Sequence, residues 1–473
     1  MTAHTGAGIA PSSRVALVAT GRSTFVQEAG RSVQRRGLAL LEDLGAQVRG
    51  PRDLIEFPEQ IPSGLTPGPG ELGILLCATF ADASVAEAAF GNATGPVVLW
   101  AVRDPAPPGE RLYLNSLCGA NLAAHALVRR GVPVRLVYGD PEERPVRDAL
   151  GRALRGELPA VAPDPDGSRP LAAAHEVAQA LTGLRGAAVG VVGDAPPGFT
   201  TCEFDPAWLR ERLGLEVRSL DLDAAFARIL AVGEGVSRSE VAAAAAEVPS
   251  LLRLPAPAVR RMGSTVAALG SWADETAVQA VAVRCWPEFP TRFGLCPCSA
   301  LGRLASRGLC TACEADVNGA ATMLLLRALG AADVYLADLV RVDEPANMVT
   351  FWHCGLAPVT LAAERREARH DLHCNRGIGV AGNFALRPGR VTVARLSWSG
   401  DRHRLVIAGG EGVPAPNRFK GNSLDVRLDG DAERSVRALV EAGVEHHTVL
   451  AWGELQPQLR RAARLLELET IEL

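Results

Sequence analysis

The stretch Val15-Ala16-Leu17-Val18-Ala19 is an unbroken apolar run, and a helical pattern follows it up to about Leu44. The same alternation continues with strand-like runs at 72–77, 97–101 and 134–138. Strands that alternate with helices are typical of a parallel sheet covered by helices. The first part of the chain is therefore predicted to be a doubly wound α/β domain.

A second α/β unit is predicted after the segment 157–170, whose proline and turn-forming residues are typical of a linker. The apolar run 187–193 opens this unit, and the strand-like run 334–340 is expected to belong to it. From about residue 346, glycine and proline turns separate close-set β segments such as 389–396, a pattern typical of a small antiparallel barrel or sandwich. The predicted fold class is α/β, with two doubly wound parallel-sheet domains followed by a β-rich, barrel-like C-terminal domain. The predicted domains are 1–170, 171–345 and 346–473.

Composition and charge argue against several classes of protein. A net charge of −4 and a pI near 6.2 do not indicate the basic surface of a nucleic-acid-binding protein. No apolar stretch reaches the ~18 residues of a membrane-spanning helix, and the start Met1-Thr2-Ala3-His4 lacks the residue order of a signal peptide. Ten cysteines in 473 residues are too dilute for a secreted disulfide scaffold. The protein is expected to be cytoplasmic, with no nucleic-acid or membrane partner.

Lys420 is the only lysine in the sequence. P-loop enzymes need a lysine in a glycine-rich turn, and Schiff-base or pyridoxal enzymes need a lysine amine. The surroundings of Lys420, Asn-Arg-Phe-Lys-Gly-Asn at 417–422, have no strand-to-helix phosphate signature. Kinase and pyridoxal-enzyme functions are therefore disfavoured.

Two carboxylates interrupt apolar stretches in the last third of the chain. Glu314 precedes the apolar helical run 317–329, where it either complements the helix dipole or carries chemistry. Asp338 lies inside the run 334–340, where a buried carboxylate must be paired, hydrogen-bonded or bound to a metal. The alternative for Asp338 is an ordinary cap of the following loop.

Histidines at two places complete a possible set of metal ligands. His353 lies in the segment Thr-Phe-Trp-His-Cys-Gly at 350–355, where a lone histidine is more often a core residue. His446 and His447 precede a predicted strand, and adjacent strand residues face opposite ways, so only one easily enters a given site. Two carboxylates with one or two imidazoles suit Mn²⁺, Mg²⁺ or a similar divalent ion. Together these residues predict a metal centre.

A competing metal site would use the thiols of Cys296, Cys298, Cys310 and Cys313. Structural zinc sites usually have paired C-x-x-C knuckles, whereas the first pair here is C-x-C. The intervening segment 299–306 is predicted to be helical instead of a hairpin. Buried free thiols are the favoured interpretation of these cysteines.

Several segments resemble those of fucose isomerase-like proteins. The core of the resemblance lies in Cys285-Trp286-Pro287-Glu288, Pro297-Cys298-Ser299-Ala300-Leu301, Ala312-Cys313-Glu314-Ala315-Asp316-Val317 and Trp352-His353-Cys354-Gly355. The segment 443–449 is similar to the glycine-to-double-histidine segment of arabinose isomerases. The segments 115–120 and 193–199 also fit, so the resemblance extends from the first predicted domain to the last.

This resemblance implies a divalent-metal-dependent aldose-ketose isomerase that acts on a small, fucose- or arabinose-like sugar through a cis-enediolate. By position, Glu314 and Asp338 look like the two carboxylate ligands and acid/base groups, and His447 looks like the distal histidine ligand. His353 resembles the additional histidine of the arabinose branch. The implied cofactor is Mn²⁺, with Mg²⁺ or Co²⁺ as the other candidates. A homo-oligomer, commonly a trimer or hexamer, is also implied.

The candidate substrate-binding residues are Trp286, Trp352, His446, Asn417 and Arg418. Two other classes of protein stay open. A metal-dependent aldolase or dehydratase can use the same ligands, because both reactions pass through an enolate that a cation stabilises. A non-catalytic sugar-binding homologue would keep the fold without the activity.

Overall fold

The structure is a computed structural model that describes residues 12–162 and 169–473. The start at Met1 and residues 163–168 of the predicted linker lie outside the described residues. Within the two described ranges, no helix combines the length and the apolar character that crossing a lipid bilayer requires.

The first part of the chain forms a five-stranded parallel sheet. Its strands are β1 (Arg14–Ala19), β2 (Gln47–Arg49), β3 (Leu72–Cys77), β4 (Val97–Ala101) and β5 (Val134–Tyr138), and its helices are α1 (Gln27–Asp43), α2 (Ser84–Phe90), α3 (Ser116–Arg129) and α4 (Arg144–Leu154). The strand order is β2-β1-β3-β4-β5. The central strands are buried on both faces, as helices on both sides of a parallel sheet require, and the prediction of a doubly wound unit is confirmed.

The second unit is a four-stranded parallel sheet in the order β7-β6-β8-β9. This is the strand order of the first sheet with one strand fewer. Its strands are β6 (Ala188–Val192), β7 (Glu216–Leu220), β8 (Ala280–Val283) and β9 (Cys310–Cys313). Its helices are α5 (Ala174–Leu184), α6 (Pro206–Trp208), α7 (Leu222–Ala231), α8 (Glu234–Glu247), α9 (Ala256–Glu275), α10 (Glu288–Arg292), α11 (Cys298–Ser306) and α12 (Val317–Ala328). All strand pairs are parallel, which confirms the second predicted doubly wound unit.

The third unit is a nine-stranded mixed sheet. Its strands are β10 (Val334–Asp343), β11 (Met348–His353), β12 (Arg369–Asp371), β13 (Ala381–Ala385), β14 (Gly389–Ser399), β15 (Arg402–Gly412), β16 (Asn422–Leu428), β17 (His447–Trp452) and β18 (Glu469–Glu472), with helices α13 (Ala432–Glu441) and α14 (Gln456–Leu466). The strand order is β12-β13-β16-β11-β10-β17-β14-β15-β18, and β15 also pairs with β16. That extra pairing closes six strands into a ring, so the barrel-like character is confirmed.

One strand belongs to a different sheet from the one predicted. The run 334–340 was expected in the central parallel sheet, but β10 pairs antiparallel with β11 and β17 of the large sheet. A short apolar run looks the same whether both its faces are buried by helices or by a barrel core. Asp338, on β10, therefore reaches the site from the third unit.

The three units share one apolar core, and helix α3 of the first unit packs at the junction. His125 on this helix is fully buried. Its Nδ1 lies 2.9 Å from the hydroxyl of Thr200 in the second unit, and its Nε2 lies 3.1 Å from the carbonyl oxygen of Trp398 in the third. One imidazole thus joins all three units.

Candidate active site

A cavity of about 740 Å³, including its open mouth, lies where the three units meet. Side chains from all three units line it, among them Arg22, Phe80, Trp286, Glu314, Asp338, Trp352, His353 and His446. Six predicted site residues therefore face one cavity.

Glu314 reaches the cavity because it directly follows β9, at the carboxyl end of an edge strand of the second parallel sheet. Ligands of open α/β sheets typically bind at this end of the strands. The backbone of Glu314 and Ala315 is left-handed, with φ of 58° and 57°, a conformation that residues other than glycine adopt at a cost. This turn delivers the carboxylate to the cavity before helix α12 begins.

Asp338 and His447 are brought together by strand register. They are direct partners in the antiparallel pair β10–β17, so their side chains lie on the same face of the sheet. The Nε2 of His447 lies 3.6 Å from Oδ1 of Asp338 and 3.6 Å from Oε2 of Glu314. The predicted convergence of the two carboxylates on His447 is therefore present in the structure.

The ring of His447 is oriented by Asp316, whose Oδ2 lies 3.0 Å from Nδ1. Asp316 is fully buried, and although burial opposes ionisation, Arg395 and His447 hold the pKa of its carboxyl well below the usual value. An ionised carboxylate only accepts hydrogen bonds, so Nδ1 of His447 carries the proton. Its Nε2 is then left with a free lone pair directed at Glu314 and Asp338.

The two carboxylates that face His447 have different environments. Burial alone would raise the pKa of Glu314, but the hydrogen bond with His446 and the proximity of His447 lower it. The bond joins Nε2 of His446 and Oε2 of Glu314 over 3.0 Å, and the indole N–H of Trp286 donates to Oε1 at 3.3 Å. Burial dominates at Asp338 and raises its pKa to about 6.

The donor set fits a divalent cation. Ligand atoms of one octahedral ion with bonds of about 2.1 Å lie about 3.0 Å apart when adjacent and about 4.2 Å apart when opposite. The two distances of 3.6 Å from His447 each differ by about 0.6 Å from these values, so the side chains would shift by a few tenths of an ångström to share one ion. Among the described residues, Oδ1 of Asp338 and Nε2 of His353 are buried without a hydrogen-bond partner. Each of these atoms is open to a cation or a substrate group, because a buried polar atom without a partner is costly.

His353 approaches the same group from β11. Its ring centroid lies 5.4 Å from that of His447, and its Nδ1 accepts the backbone N–H of Cys354 at 2.8 Å. Burial would lower the pKa of His353, but Cys354, Asp338 and Glu314 raise it to about 10. The surroundings of this ring are thus strongly negative, as those of a cation site must be.

The candidate substrate-binding residues separate into two groups. Trp286, Trp352 and His446 line the cavity. Asn417 and Arg418 are not among the residues that line it, so the structure does not bring these two to the site. The side chain of Asn417 is used within its own loop, where it bonds to Asn383, Gly421 and Ser423. An Asn-Arg pair between two strands carries no sequence signal that distinguishes loop closure from sugar binding.

Sequence reasoning missed the residues that support and surround the ligands. In the sequence, Asp316 is only one residue of the motif around Glu314, and Arg395 only one residue of a predicted β segment. Arg395 is fully buried and forms an ion pair with Asp316. A lone arginine inside the apolar run Val-Thr-Val-Ala-Arg-Leu was the available signal, because a buried charge needs a partner. Arg22 and Arg376, which line the cavity, were missed as well.

The competing four-cysteine site is not formed. Cys310 and Cys313 stand at opposite ends of β9, about 10 Å apart at the usual strand rise, so they cannot share an ion. Cys310 is a buried free thiol, as expected. Cys296, Cys298 and Cys313 do line the cavity, but with Cys354 as their neighbour.

No protein-family model matches the sequence. Individual proteins do match it over most of their length. The sulfoquinovose isomerase of Alkalicoccus urumqiensis is 32% identical over 426 residues, which cover 89% of this chain and 91% of that protein. The sulfoquinovose isomerase of Priestia aryabhattai is 31% identical over 460 residues, 96% of this chain and 98% of the relative. That of Clostridium sp. strain MSTE9 is 30% identical over 459 residues, with the same coverage.

These relatives confirm the expected class of enzyme at a coarser level than the resemblance implied. The expected reaction, aldose-ketose isomerisation, is the one for which the relatives are named. Their names give sulfoquinovose as the sugar, where the resemblance implied a fucose- or arabinose-like one. With this identity over nearly the whole chain, the protein belongs to the sulfoquinovose isomerases, a family of aldose-ketose sugar isomerases.

Proposed function

We propose that this protein is a divalent-metal-dependent isomerase that converts sulfoquinovose, or a closely similar sulfonated aldose, into the corresponding ketose. The observation that carries the proposal is the convergence of Glu314 and Asp338 on His447, beside a cavity that both carboxylates and two arginines line. The carboxylate and imidazole donors suit Mn²⁺, with Mg²⁺ or Co²⁺ as alternatives. The arginines suit an anionic sugar.

The two arginines, Arg22 and Arg376, stand close together over one aromatic ring. The guanidinium carbon of Arg22 lies 4.3 Å from the centre of Trp286, and that of Arg376 lies 5.9 Å from it. Burial and the neighbouring charge of Arg376 lower the pKa of Arg22, although Asp82 opposes this effect. Two like charges held this close favour binding of an anion between or beside them.

Acidic side chains neutralise this pair only weakly. The nearest carboxylate oxygen of Asp82 lies 3.9 Å from Arg22, at the outer limit of an ion pair. In the described part of the chain, Arg376 forms no ion pair with any carboxylate. A sulfonate, with three acceptor oxygens and a permanent negative charge, supplies what the two guanidinium groups lack. A neutral pentose or deoxyhexose does not.

The isomerisation moves one proton between carbons and another between oxygens. The bound ion would polarise the carbonyl group and stabilise the negative charge of the cis-enediolate. One of the two carboxylates, Glu314 or Asp338, takes the proton from C2 of the aldose and returns it to C1. The other moves the hydroxyl proton from the C2 oxygen to the C1 oxygen, so the atoms balance and no co-reactant is needed.

Other side chains orient these groups and limit the access of water. Trp286 donates its N–H to Glu314 and packs edge-on against Phe199, with ring centres 5.0 Å apart. Phe199 in turn packs edge-on against His446, with ring centres 5.7 Å apart. This aromatic row fixes the carboxylate and shields it, which strengthens the electrostatic interactions inside the site.

The proposed activity is tested by removing metal with a chelator and then adding Mn²⁺, Mg²⁺ or Co²⁺ separately. Ketose formation is followed by NMR with sulfoquinovose, glucose, fucose and arabinose as substrates. We expect turnover of sulfoquinovose that is lost on chelation and restored by one of the ions. Activity that ignores the chelator would overturn the metal assignment, and cleavage or dehydration products would indicate an aldolase or a dehydratase.

Substitution of Glu314 tests the role of the carboxylate. Glu314→Gln should lower kcat by about 100-fold or more, the usual contribution of a general acid or base, while the thermal transition stays intact. The exposed Glu364 provides the matched control, Glu364→Gln, which should keep full activity. Unfolding of Glu314→Gln without an effect on kcat would show a structural residue.

The arginine pair is tested by its effect on substrate preference. Arg22→Gln and Arg376→Gln should raise KM for sulfoquinovose by about 10-fold or more, since each removes a charge-assisted hydrogen bond. Arg31→Gln, at an exposed position on helix α1, is the matched control and should change nothing. An equal effect on a neutral sugar would contradict recognition of the anion.

A further inference from the structure

A second group of donor atoms lies beside the carboxylate-histidine centre, and it is made of thiols. Cys298 starts helix α11, Cys354 follows strand β11, and His373 lies in the loop after β12. One donor atom from each of these three residues lies within 4.8 Å of the other two. Three segments that are distant in the sequence thus converge on one point.

The spacing of the two sulfur atoms matches a shared metal ion. The Sγ atoms of Cys298 and Cys354 are 3.6 Å apart. Two thiolates on a tetrahedral zinc ion, each with a bond of about 2.3 Å, are separated by about 3.8 Å. The two sulfurs therefore need almost no movement to bind one ion.

The donor types separate this group from the neighbouring centre. Thiolates are soft ligands that select zinc and similar ions, whereas Mn²⁺ and Mg²⁺ prefer carboxylate oxygens. Cys296 packs in one apolar cluster with Cys298 and Cys354, but its sulfur does not belong to the group of donor atoms that lie within 4.8 Å of one another. The carboxylates of Glu314 and Asp338 are not part of this group.

We propose that Cys298, Cys354 and His373 form a binding site for a zinc ion, distinct from the carboxylate-histidine site. Three protein ligands leave one coordination position for a water molecule. Neither the relatives' names nor the predicted metal centre accounts for these residues.

The ion would fix the loop that carries Arg376. Two backbone hydrogen bonds close this loop. The N–H of Arg376 donates to the carbonyl of His373 at 3.2 Å, and the N–H of His373 donates to the carbonyl of Ile378 at 3.1 Å. The N–H of Asn375 also approaches Nδ1 of His373 at 3.2 Å. An ion bound to His373 would therefore keep Arg376 close to the ring of Trp286. This role of the ion rests on the proposed function, whereas metal binding itself does not.

Cobalt is the probe that distinguishes this site from the carboxylate centre. The full-length protein, reduced and freed of metal, is saturated with Mg²⁺ and then titrated with Co²⁺. Thiolate ligation gives a sulfur-to-cobalt charge-transfer band in the near ultraviolet, which oxygen and nitrogen ligands do not produce. We expect this band to appear at one equivalent of Co²⁺ per chain and to disappear when Zn²⁺ is added.

Variants identify the residues that bind the cobalt ion responsible for the band. Cys298→Ser and His373→Ala should each lose it or weaken binding of Co²⁺ at least 10-fold, while the buried thiol variant Cys310→Ser keeps it as the matched control. His373 lies in a half-buried loop, so its variant remains informative if Cys298→Ser does not fold. Absence of the band in the reduced wild-type protein, or its persistence unchanged in both variants, would overturn the proposal.

The same experiment is independent of the proposed isomerase activity. Glu314→Gln should keep the charge-transfer band although it loses turnover, because its side chain is not a thiol-site ligand. His373→Ala should raise KM for sulfoquinovose more than it lowers kcat, since it loosens the loop of Arg376. A lost band with unchanged KM would keep the zinc site and reject its role in substrate binding.

Discussion

Asp316 connects a helix, a buried arginine and a histidine of the site through its two carboxylate oxygens. Its Oδ1 accepts the backbone N–H of Gly319 at 2.8 Å and so caps helix α12. Its Oδ2 bonds to Nδ1 of His447 and to the buried guanidinium of Arg395. One carboxylate thus begins a helix, neutralises a buried cation and sets the tautomer of the histidine that faces the metal site.

Asp316→Asn is expected to damage both stability and metal binding. The amide can still cap the helix, but it leaves Arg395 with only Glu445, 3.7 Å away, as a charged partner. Breaking a buried ion pair typically lowers the free energy of unfolding by about 3–5 kcal/mol. Loss of the outer partner of a ligating histidine typically weakens metal affinity about 10- to 100-fold. Urea unfolding and metal titration measure the two effects.

Asp221→Asn is the matched control for this substitution. Asp221 also caps a helix, α7, but at an exposed position and without a buried cation. Asparagine caps helices about as well as aspartate, so the control should lose less than about 0.5 kcal/mol. Equal losses in the two variants would show that the ion pair contributes nothing.

At the scale of elements, helix α12 connects the turn of Glu314 to the large sheet. The approach is close at Gly319, where an added Cβ would lie 2.5 Å from Oδ2 of Asp316 and 2.7 Å from Cδ1 of Leu336. Neither neighbour can move freely, because Asp316 holds His447 and Leu336 is buried in β10. The glycine allows the helix to pack directly against the strand that carries Asp338.

Gly319→Ala is therefore expected to destabilise the protein in spite of the better helix propensity of alanine. Overpacking of a buried position typically costs about 1–3 kcal/mol. The same change at Gly183 in helix α5, where an added Cβ meets nothing within 4 Å, should instead gain up to about 1 kcal/mol. Thermal unfolding of the two variants should show shifts of opposite sign, and a stabilising effect at both positions would contradict the packing argument.

The residues and strands that form the site differ in how well the sequence predicts them. Glu314 and Asp338 stand out in the sequence because they interrupt apolar stretches, whereas the choice of His447 over His446 rests on the resemblance to arabinose isomerases. The sheet to which Asp338 belongs was not found, because an apolar run carries no information on whether its neighbours are parallel or antiparallel. Asp316 and Arg395 were missed for a related reason: a buried ion pair is visible only when both partners are placed.

At the scale of the whole molecule, two histidines, one buried and one half-buried, link the parts that form the site. His125 joins the three units, and burial lowers its pKa. His370 belongs to strand β12 and contacts helix α11, where its Nδ1 is 2.9 Å from the hydroxyl of Ser299. Burial, together with the positive charge of Arg303, lowers the pKa of His370 to about 4, and the charge of Glu247 opposes this only weakly. That the chain forms a trimer or hexamer stays a prediction.

His370→Gln is expected to reduce the acid sensitivity of the fold. The folded pKa of about 4 lies below the ordinary value of 6.5, so the unfolded chain binds a proton that the folded chain does not. The stability contributed by the neutral ring is complete above the ordinary pKa and is lost as the pH falls towards the folded one, by roughly 3 kcal/mol in total.

The measurement for His370 is urea unfolding at several pH values between about 7 and 4.5, the window in which this linkage acts. The variant should lose less stability across this window than the wild-type protein. His175→Gln, at an exposed position in helix α5, is the control and should follow the wild type. Identical curves for all three proteins would show that protonation of His370 does not contribute.

Strand β17 follows β14, β15 and β16 in the chain but lies between β10 and β14 in the sheet. During synthesis on the ribosome, the ring of strands therefore stays open between β10 and β14 until β17 emerges. Until then, the facing edges of β10 and β14 have unpaired backbone N–H and C=O groups, with which a strand of another polypeptide can pair. Because β17 begins with His447, the arrival of the strand that seals the gap also delivers the last partner of the two carboxylates. A nascent chain halted before this point would have neither a closed ring nor a place for the cation.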